Sequence, residues 1–126
     1  MKWLVAPLEF YMARYTGFFI VNVGIEDLRP VMIDILQSCN LEITYQTPSS
    51  IIAREALGKV TVQELVIVEV VFDTATSTVN ETKMTVYVKN EALALQSVNH
   101  CREIFEQISQ LIINNRQWVL LESIAL

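Results

Sequence analysis

The chain has 126 residues, of which 52% are hydrophobic and 18% are charged, and its formal net charge is −5. This length suits one domain with a sizeable core, and so apolar a composition excludes an intrinsically disordered chain. The nine basic residues are spread along the sequence without a cluster, which argues against a surface for nucleic acid or an anionic membrane.

Residues 1–23 are rich in apolar side chains, but Glu9 and Arg14 interrupt them. No uninterrupted apolar run approaches the ~20 residues that a membrane-spanning helix needs, and no cleavage site follows a signal-like run. We therefore expect neither a membrane span nor a signal peptide. Residues 1–16 are a candidate N-terminal appendage, and Met12 is an alternative start.

A strand and then a helix are predicted next. Residues 17–24 form an apolar run between two glycines, which is typical of a buried strand, and residues 11–16 would extend it. Pro30 is tolerated only in a first helical turn, and Asn40 is a plausible left-handed stop. From Leu28 onwards, apolar side chains recur at three- and four-residue steps and predict a helix: Leu28, Val31, Met32, Ile35, Leu36 and Cys39.

Several strands follow this helix. Residues 41–56 form either one strand bent at Pro48 or two strands that meet there. Residues 60–74 predict one long strand, and residues 75–81 a hairpin loop. Residues 82–89 alternate apolar and polar side chains as the hairpin partner, with one apolar face made of Met84, Val86 and Val88.

The last predicted element is a long helix. Asn90 is its predicted N-cap, and an apolar arc extends from Leu95 to Ile112, so that the helix would occupy residues 91–113. An apolar tail follows at residues 116–126, as further helical turns or as an extended segment.

These elements predict an α+β fold for a single domain over residues 1–126. Its order would be one strand, a helix, three or four strands, and a long C-terminal helix. Consecutive strands with short connections pair antiparallel, which gives a sheet of four to five strands with two helices on one face. The element order resembles the TATA-binding-protein-like and helix-grip architectures, and that resemblance concerns the fold alone.

Both faces of the long predicted strand carry apolar side chains. Val66, Val68, Val70 and Phe72 make the better core face, and a second set remains on the other face: Leu65, Ile67 and Val71. These three outer side chains need to be covered, because a sheet face that is open to water usually carries polar side chains. Three covers are open: the appendage with Trp3 and Leu4, the tail with Trp118 and Leu121, or a second subunit, which we favour.

The sequence offers no catalytic constellation, so we expect no enzyme and no cofactor. The glycines belong to no phosphate-binding loop, and a single histidine with two distant cysteines cannot build a four-ligand zinc site. Cys39 and Cys101 fall on helices as buried thiols, which favours the cytoplasm. His100 is expected to be a half-buried structural histidine.

The sequence thus favours a non-enzymatic protein-interaction module, a homodimer that uses the apolar outer sheet face and the apolar chain ends. The partner would be a second copy or another protein. The alternative is a small binding protein that holds an apolar or aromatic ligand between the sheet and the long helix. Its lining residues would be Val68, Phe72, Val88, Phe105 and Ile108.

Overall fold

A computed structural model describes residues 12–56 and 65–125, which form six strands and two helices. The order is β1 (Met12–Val21), α1 (Ile25–Ser38), β2 (Leu41–Thr47), β3 (Ser50–Glu55), β4 (Val66–Phe72), β5 (Thr82–Leu93), α2 (Ala94–Ile113) and β6 (Leu120–Ala125). The strands form one antiparallel sheet in the spatial order β2-β3-β4-β5-β1-β6. The predicted α+β fold with an antiparallel sheet and two helices is confirmed. The prediction of four to five strands was wrong, because the C-terminal tail adds β6.

The helix α1 forms where its apolar stripe predicts it. Leu28, Met32, Ile35 and Leu36 are its buried residues, and Glu26 and Asp27 lie in its first turn, near the positive end of the helix dipole. Asn40 has a φ of 65°, which is the left-handed conformation that ends a helix. The predicted stop is therefore found at this residue.

Residues 41–56 form two strands rather than one bent strand. β2 pairs with β3 around a turn at Pro48 and Ser49. The Arg29 guanidinium on α1 donates from Nη2 to the carbonyl oxygens of Thr47 and Pro48, both at 2.7 Å. Arg29 of the helix therefore fixes the position of the turn by binding the backbone carbonyl oxygens of the turn.

β4 and β5 form the predicted hairpin, and burial alternates along both strands. β5 continues to Leu93, and Asn90 pairs with Val66 inside the sheet. The prediction of Asn90 as a helix cap was therefore wrong, because sheet pairing takes this residue and α2 begins at Ala94. Residues 60–64 of the predicted long strand lie outside the described residues.

Both helices pack on one face of the sheet and share one core. The largest side chains that are fully buried there include Phe19, Phe72, Leu28, Met32, Leu36, Ile51, Met84, Ile108 and Ile112. The buried set of the long predicted strand, Val66 to Phe72 at even positions, lies on this face as predicted.

The C-terminal tail extends the sheet instead of covering its outer face. β6 pairs antiparallel with β1, from Gly17 opposite Ala125 to Val21 opposite Leu120. Trp118, just before this strand, is buried in the core and donates from Nε1 to the Ile112 carbonyl oxygen at 3.1 Å. Of the three covers that the sequence left open, the tail is therefore not the one found, because its backbone pairs edge to edge with β1.

Candidate interaction surface

The outer face of the sheet is mixed, not apolar. Ile67 lies between Arg54 on β3 and Lys89 on β5, and Val71 lies between Ser50 and Thr85. Both apolar side chains are half-buried. Arginine and lysine cover apolar neighbours with their aliphatic stems while the charged ends stay in water. Side chains of β3 and β5 thus cover part of the apolar outer face of β4.

Two other residues of the predicted interface do not add to an exposed face. Leu65 is only 7% exposed and Trp118 likewise 7%, so both are buried within the subunit. Trp118 in particular packs in the core cluster. Trp3 and Leu4, like the rest of residues 1–11, lie outside the described residues. Leu121 is 51% exposed and stays a candidate.

Exposed apolar side chains concentrate at one place, the end of the chain. Of the seven large apolar side chains that are exposed in the described part, five lie on the last turns of α2, on β6 or directly before it. We call this set the C-terminal edge: Leu111, Ile113, Val119, Leu121 and Ile124. Exposed apolar side chains that gather in one region are typical of protein contact sites, so this edge is the strongest candidate in the described residues.

The two edges of the sheet differ in protection. Along β2 the exposed residues are mostly polar, a register shift interrupts the strand between Ile43 and Tyr45, and Pro48 ends it. Bulges, prolines and polar side chains discourage pairing with another strand. β6 also contains a register shift, between Leu120 and Glu122, but it has no proline or lysine, and Glu122 is its one charge. Among the described strands, β6 has β1 as its one neighbour.

A groove of about 310 Å³ lies between α2 and the strands β1 and β6. Its floor includes the small residues Gly17, Ser123 and Ala125, and Phe105 and Ile113 of α2 form its wall. Of the predicted ligand lining, only Phe105 reaches this groove. The other four residues, Val68, Phe72, Val88 and Ile108, are at most 2% exposed and packed together in the core.

A second notable feature is a buried carboxylate at the end of β3. Glu55 Oε1 accepts hydrogen bonds from the Val66 backbone N–H at 2.9 Å, and it lies 2.8 Å from His100 Nε2. The Glu55 side chain is 4% exposed and that of His100 is 34% exposed. This single carboxylate ties the end of β3 to the start of β4 and to α2.

The buried Cys101 thiol lies near this carboxylate. Burial and, to a smaller extent, the negative charge of the Glu55 carboxylate together raise the pKa of the Cys101 thiol to about 12. The thiol donates to the Val88 carbonyl oxygen at 3.6 Å and stays protonated at neutral pH, so it is no nucleophile. Burial also raises the pKa of Cys39. Within the described residues, no group of three or more His, Cys, Asp or Glu side chains is arranged to hold a metal ion.

The sequence predicted His100 as a half-buried structural histidine, but Glu55 was not predicted as the partner of His100. Ile51 and Ala53 are buried on the core face, and Glu55 follows at the same parity. Side chains two apart on a strand share a face. The alternation along β3 was therefore the signal that Glu55 points inward.

Comparison with protein-family models, with curated proteins and with solved structures finds no match to this chain. Neither of the two described helices combines the length and the apolar character that crossing a membrane would require. Any function must therefore be inferred from the surface and the groove themselves.

Proposed function

We propose that this protein is a non-enzymatic protein-interaction module that acts as a homodimer. Its binding surface is the sheet, and the C-terminal edge contributes most of the contact. The outer sheet face contributes through Ile67 and Val71, which are flanked by charged and polar neighbours. The buried core and the protonated Cys101 thiol favour a binding role over a catalytic one.

The observation that carries this proposal is the clustering of exposed apolar side chains. Val119 is 59% exposed, Leu121 51% and Ile124 43%. Removing such side chains from water at an interface contributes about 25 cal/mol per Å² of apolar area. Isolated exposed apolar residues are ordinary on a protein surface, but five at one end of the sheet favour a partner.

Substitution of Leu121 by lysine tests the proposal. In a symmetric dimer the change acts on both copies, since the same patch is used twice. We expect Leu121→Lys to raise the dimer Kd at least tenfold, which corresponds to a loss of at least about 1.4 kcal/mol in binding free energy. Sedimentation equilibrium between about 1 and 100 μM measures the Kd.

Val79→Lys is the matched control. Val79 is 83% exposed in the β4–β5 hairpin loop, away from the C-terminal edge, and the variant carries the same charge change. We expect its dimer Kd to equal that of the unchanged chain. A chain that stays monomeric up to 100 μM would contradict the proposed homodimer.

The groove beside Phe105 favours a second candidate function, the binding of a small apolar or aromatic ligand. Its volume of about 310 Å³ lies at the lower end of the range for ligand pockets. The site differs from the lining predicted from sequence, because it lies at the β6 side of α2 and shares only Phe105 with that set. The groove also opens towards solvent beside the C-terminal edge.

The fluorescent probe 1-anilinonaphthalene-8-sulfonate tests this second candidate. A ligand site predicts saturable binding at one probe per chain, weakened at least fivefold by Ser109→Phe, which would place a ring in the groove. Gln107→Phe, on the exposed side of α2, is the control. Equal binding by both variants would exclude the groove as the probe site.

A further inference from the structure

Three basic side chains that are far apart in the sequence lie in one row on the outer face of the sheet. Arg54 on β3 and Lys89 on β5 both lie opposite Ile67 of β4, and Arg14 on β1 lies opposite Lys89. Residues directly opposite each other in a sheet have their side chains on the same face. We call this set the basic row: Arg54, Lys89 and Arg14. It contains three of the nine basic residues of a chain whose net charge is −5.

The charges of the basic row are not paired with neighbouring carboxylates. Among the described residues, the two ion pairs are His100 with Glu55 and Arg102 with Glu106, and neither involves the row. Arg54 Nε is also buried, and no described residue gives it a hydrogen-bond acceptor. Like charges on neighbouring strands repel each other, and an unpaired charge gains from a nearby oxyanion. Negative charge placed over the row would therefore offset this repulsion.

An aromatic ring holds one member of the row in place. The guanidinium carbon of Arg14 lies 5.2 Å from the centre of the Tyr87 ring, which is a cation–π contact. Arg54 and Lys89 are half-buried, so neighbouring side chains restrict their stems. Side chains that are partly ordered before binding lose less conformational entropy when a partner binds.

We infer that the basic row binds an extended acidic segment of another protein, whose carboxylates pair with Arg54, Lys89 and Arg14. This inference goes beyond the proposed homodimer, because the row uses no residue of β6 or α2. β6 pairs with β1 from Gly17 onwards, after Arg14. The two surfaces are therefore separate, and either can be tested without the other.

The acidic residues beside the row favour a polypeptide over a nucleic acid. Glu42 lies opposite Arg54, and Glu69 lies two residues after Ile67 on the same face of β4. A nucleic acid carries a negative charge on every nucleotide, so a strand across this face would bring phosphates close to both glutamates. A polypeptide can place carboxylates over the row and neutral or basic side chains over Glu42 and Glu69.

The span of the row fits an extended segment. Neighbouring strands are about 4.8 Å apart, so Arg54 and Arg14, which are three strand spacings apart, are separated by about 14 Å. An extended chain rises about 3.4 Å per residue and presents alternate side chains on one side, so three alternate carboxylates also span about 14 Å. The segment is thus expected to carry acidic residues at alternate positions.

The sequence of this chain does not contain such a segment. Its 14 acidic residues include no two that are separated by a single residue. A second copy therefore cannot supply alternate carboxylates to the row, and the partner is a different protein.

Fluorescence anisotropy tests the inference on the full chain. The probe is a fluorescein-labelled twelve-residue peptide in which glutamate and serine alternate. We expect saturable binding with a Kd below about 100 μM at about 50 mM salt. Raising the salt to about 500 mM should weaken binding at least tenfold, because salt screens exposed charges.

Lys89→Gln and Arg14→Gln are the test variants, and Lys83→Gln is their matched control. Lys83 lies on the same strand and face as Lys89, about 20 Å away, and its substitution removes the same charge. We expect each test variant to raise the Kd of the peptide at least fivefold and the control to raise it less than twofold. Arg14 is exposed, so Arg14→Gln leaves the core intact.

The outcomes separate the basic row from the overall charge. Specific weakening by Lys89→Gln and Arg14→Gln supports the inference. Equal effects of Lys89→Gln and Lys83→Gln would overturn it. So would a lack of peptide binding up to about 500 μM, or tighter binding of a twelve-nucleotide thymidine strand than of the peptide. None of these results changes the sedimentation test of the homodimer.

Discussion

Cys101 illustrates how one buried group links stability to pH. Its thiol is fully buried, and burial with the nearby Glu55 carboxylate raises its pKa from 9.0 to about 12. The folded chain therefore binds this proton more tightly than the unfolded chain. The stability that the thiol contributes is fully present below pH 9 and is lost as the pH rises from 9 towards 12.

We expect the free energy of unfolding to fall above pH 9, with this thiol contributing up to about 1.4 kcal/mol per pH unit. Urea unfolding at pH 7.5, 9.0 and 10.5 measures the slope. Cys101→Ala removes the thiol and should flatten the slope, while other titrating groups are common to both chains. Equal slopes for the two chains would contradict this role of burial.

Glu55 shows the cost of removing a buried acceptor. Glu55→Ala leaves the Val66 backbone N–H buried without its 2.9 Å acceptor and deprives His100 of its partner. We expect a loss of about 2–3 kcal/mol in the free energy of unfolding, measured by urea unfolding at pH 7. Glu55→Gln, which keeps an acceptor oxygen, should lose less.

Glu106→Ala is the matched control for this prediction. Glu106 also pairs with a basic side chain, Arg102, at 2.9 Å, but its side chain is 59% exposed. An exposed ion pair at this helical spacing contributes about 0.3–0.5 kcal/mol. Equal losses for Glu55→Ala and Glu106→Ala would show that burial of the pair is not what stabilises the chain.

At the scale of elements, Arg29 joins α1 to the β2–β3 turn. It donates to two carbonyl oxygens at 2.7 Å, and its guanidinium carbon lies 5.2 Å from the centre of the Phe72 ring. We expect Arg29→Met to cost about 1–2 kcal/mol in urea unfolding, since hydrogen bonds to a charged group are lost while the aliphatic stem is kept.

Arg102→Met is the control for Arg29→Met, because Arg102 bonds only the exposed Glu106 on its own helix. We expect its loss to stay below about 0.5 kcal/mol. Arg29→Lys should fall between the two, since a lysine keeps the charge but not the planar fork of donors. A loss for Arg29→Met no larger than that for Arg102→Met would contradict the proposed link.

The elements also show how far the sequence alone could lead. The stripe of α1 and the alternation of β5 predicted these elements well, because each pattern depends on the segment's own residues. Ile67 lies between Arg54 and Lys89 because of the register in which the strands pair. That register cannot be predicted from the sequence of β4 alone. The end of β5 was misplaced for the same reason, because Asn90 pairs with Val66 across the hairpin.

The candidate site was predicted only in part. Leu121 was expected at an interface and is exposed on β6, while Trp118 from the same tail is buried. An apolar tail of this length fits an extra helical turn or a strand equally well, and pairing with β1 decides between them. The candidate surface therefore lies at the edge of the sheet, whereas the sequence had suggested the outer face of the sheet.

At the scale of the whole molecule, the two ends of the sheet have opposite characters. One end is polar and held by Arg29, and the other carries most of the exposed apolar side chains of the described residues, while both edge strands contain a register shift. The Leu121→Lys experiment probes the apolar end.

The pairing of β6 with β1 also has a consequence for synthesis of the chain. Val119 donates its backbone N–H to the side-chain oxygen of Asn22, 97 residues earlier, and its carbonyl oxygen accepts from the Asn22 N–H. β1 has β5 and β6 as its two neighbours. Among the described strands β1 is synthesised first and its two neighbours last, so the backbone of β1 can pair in the sheet only after β5 and β6 have been synthesised.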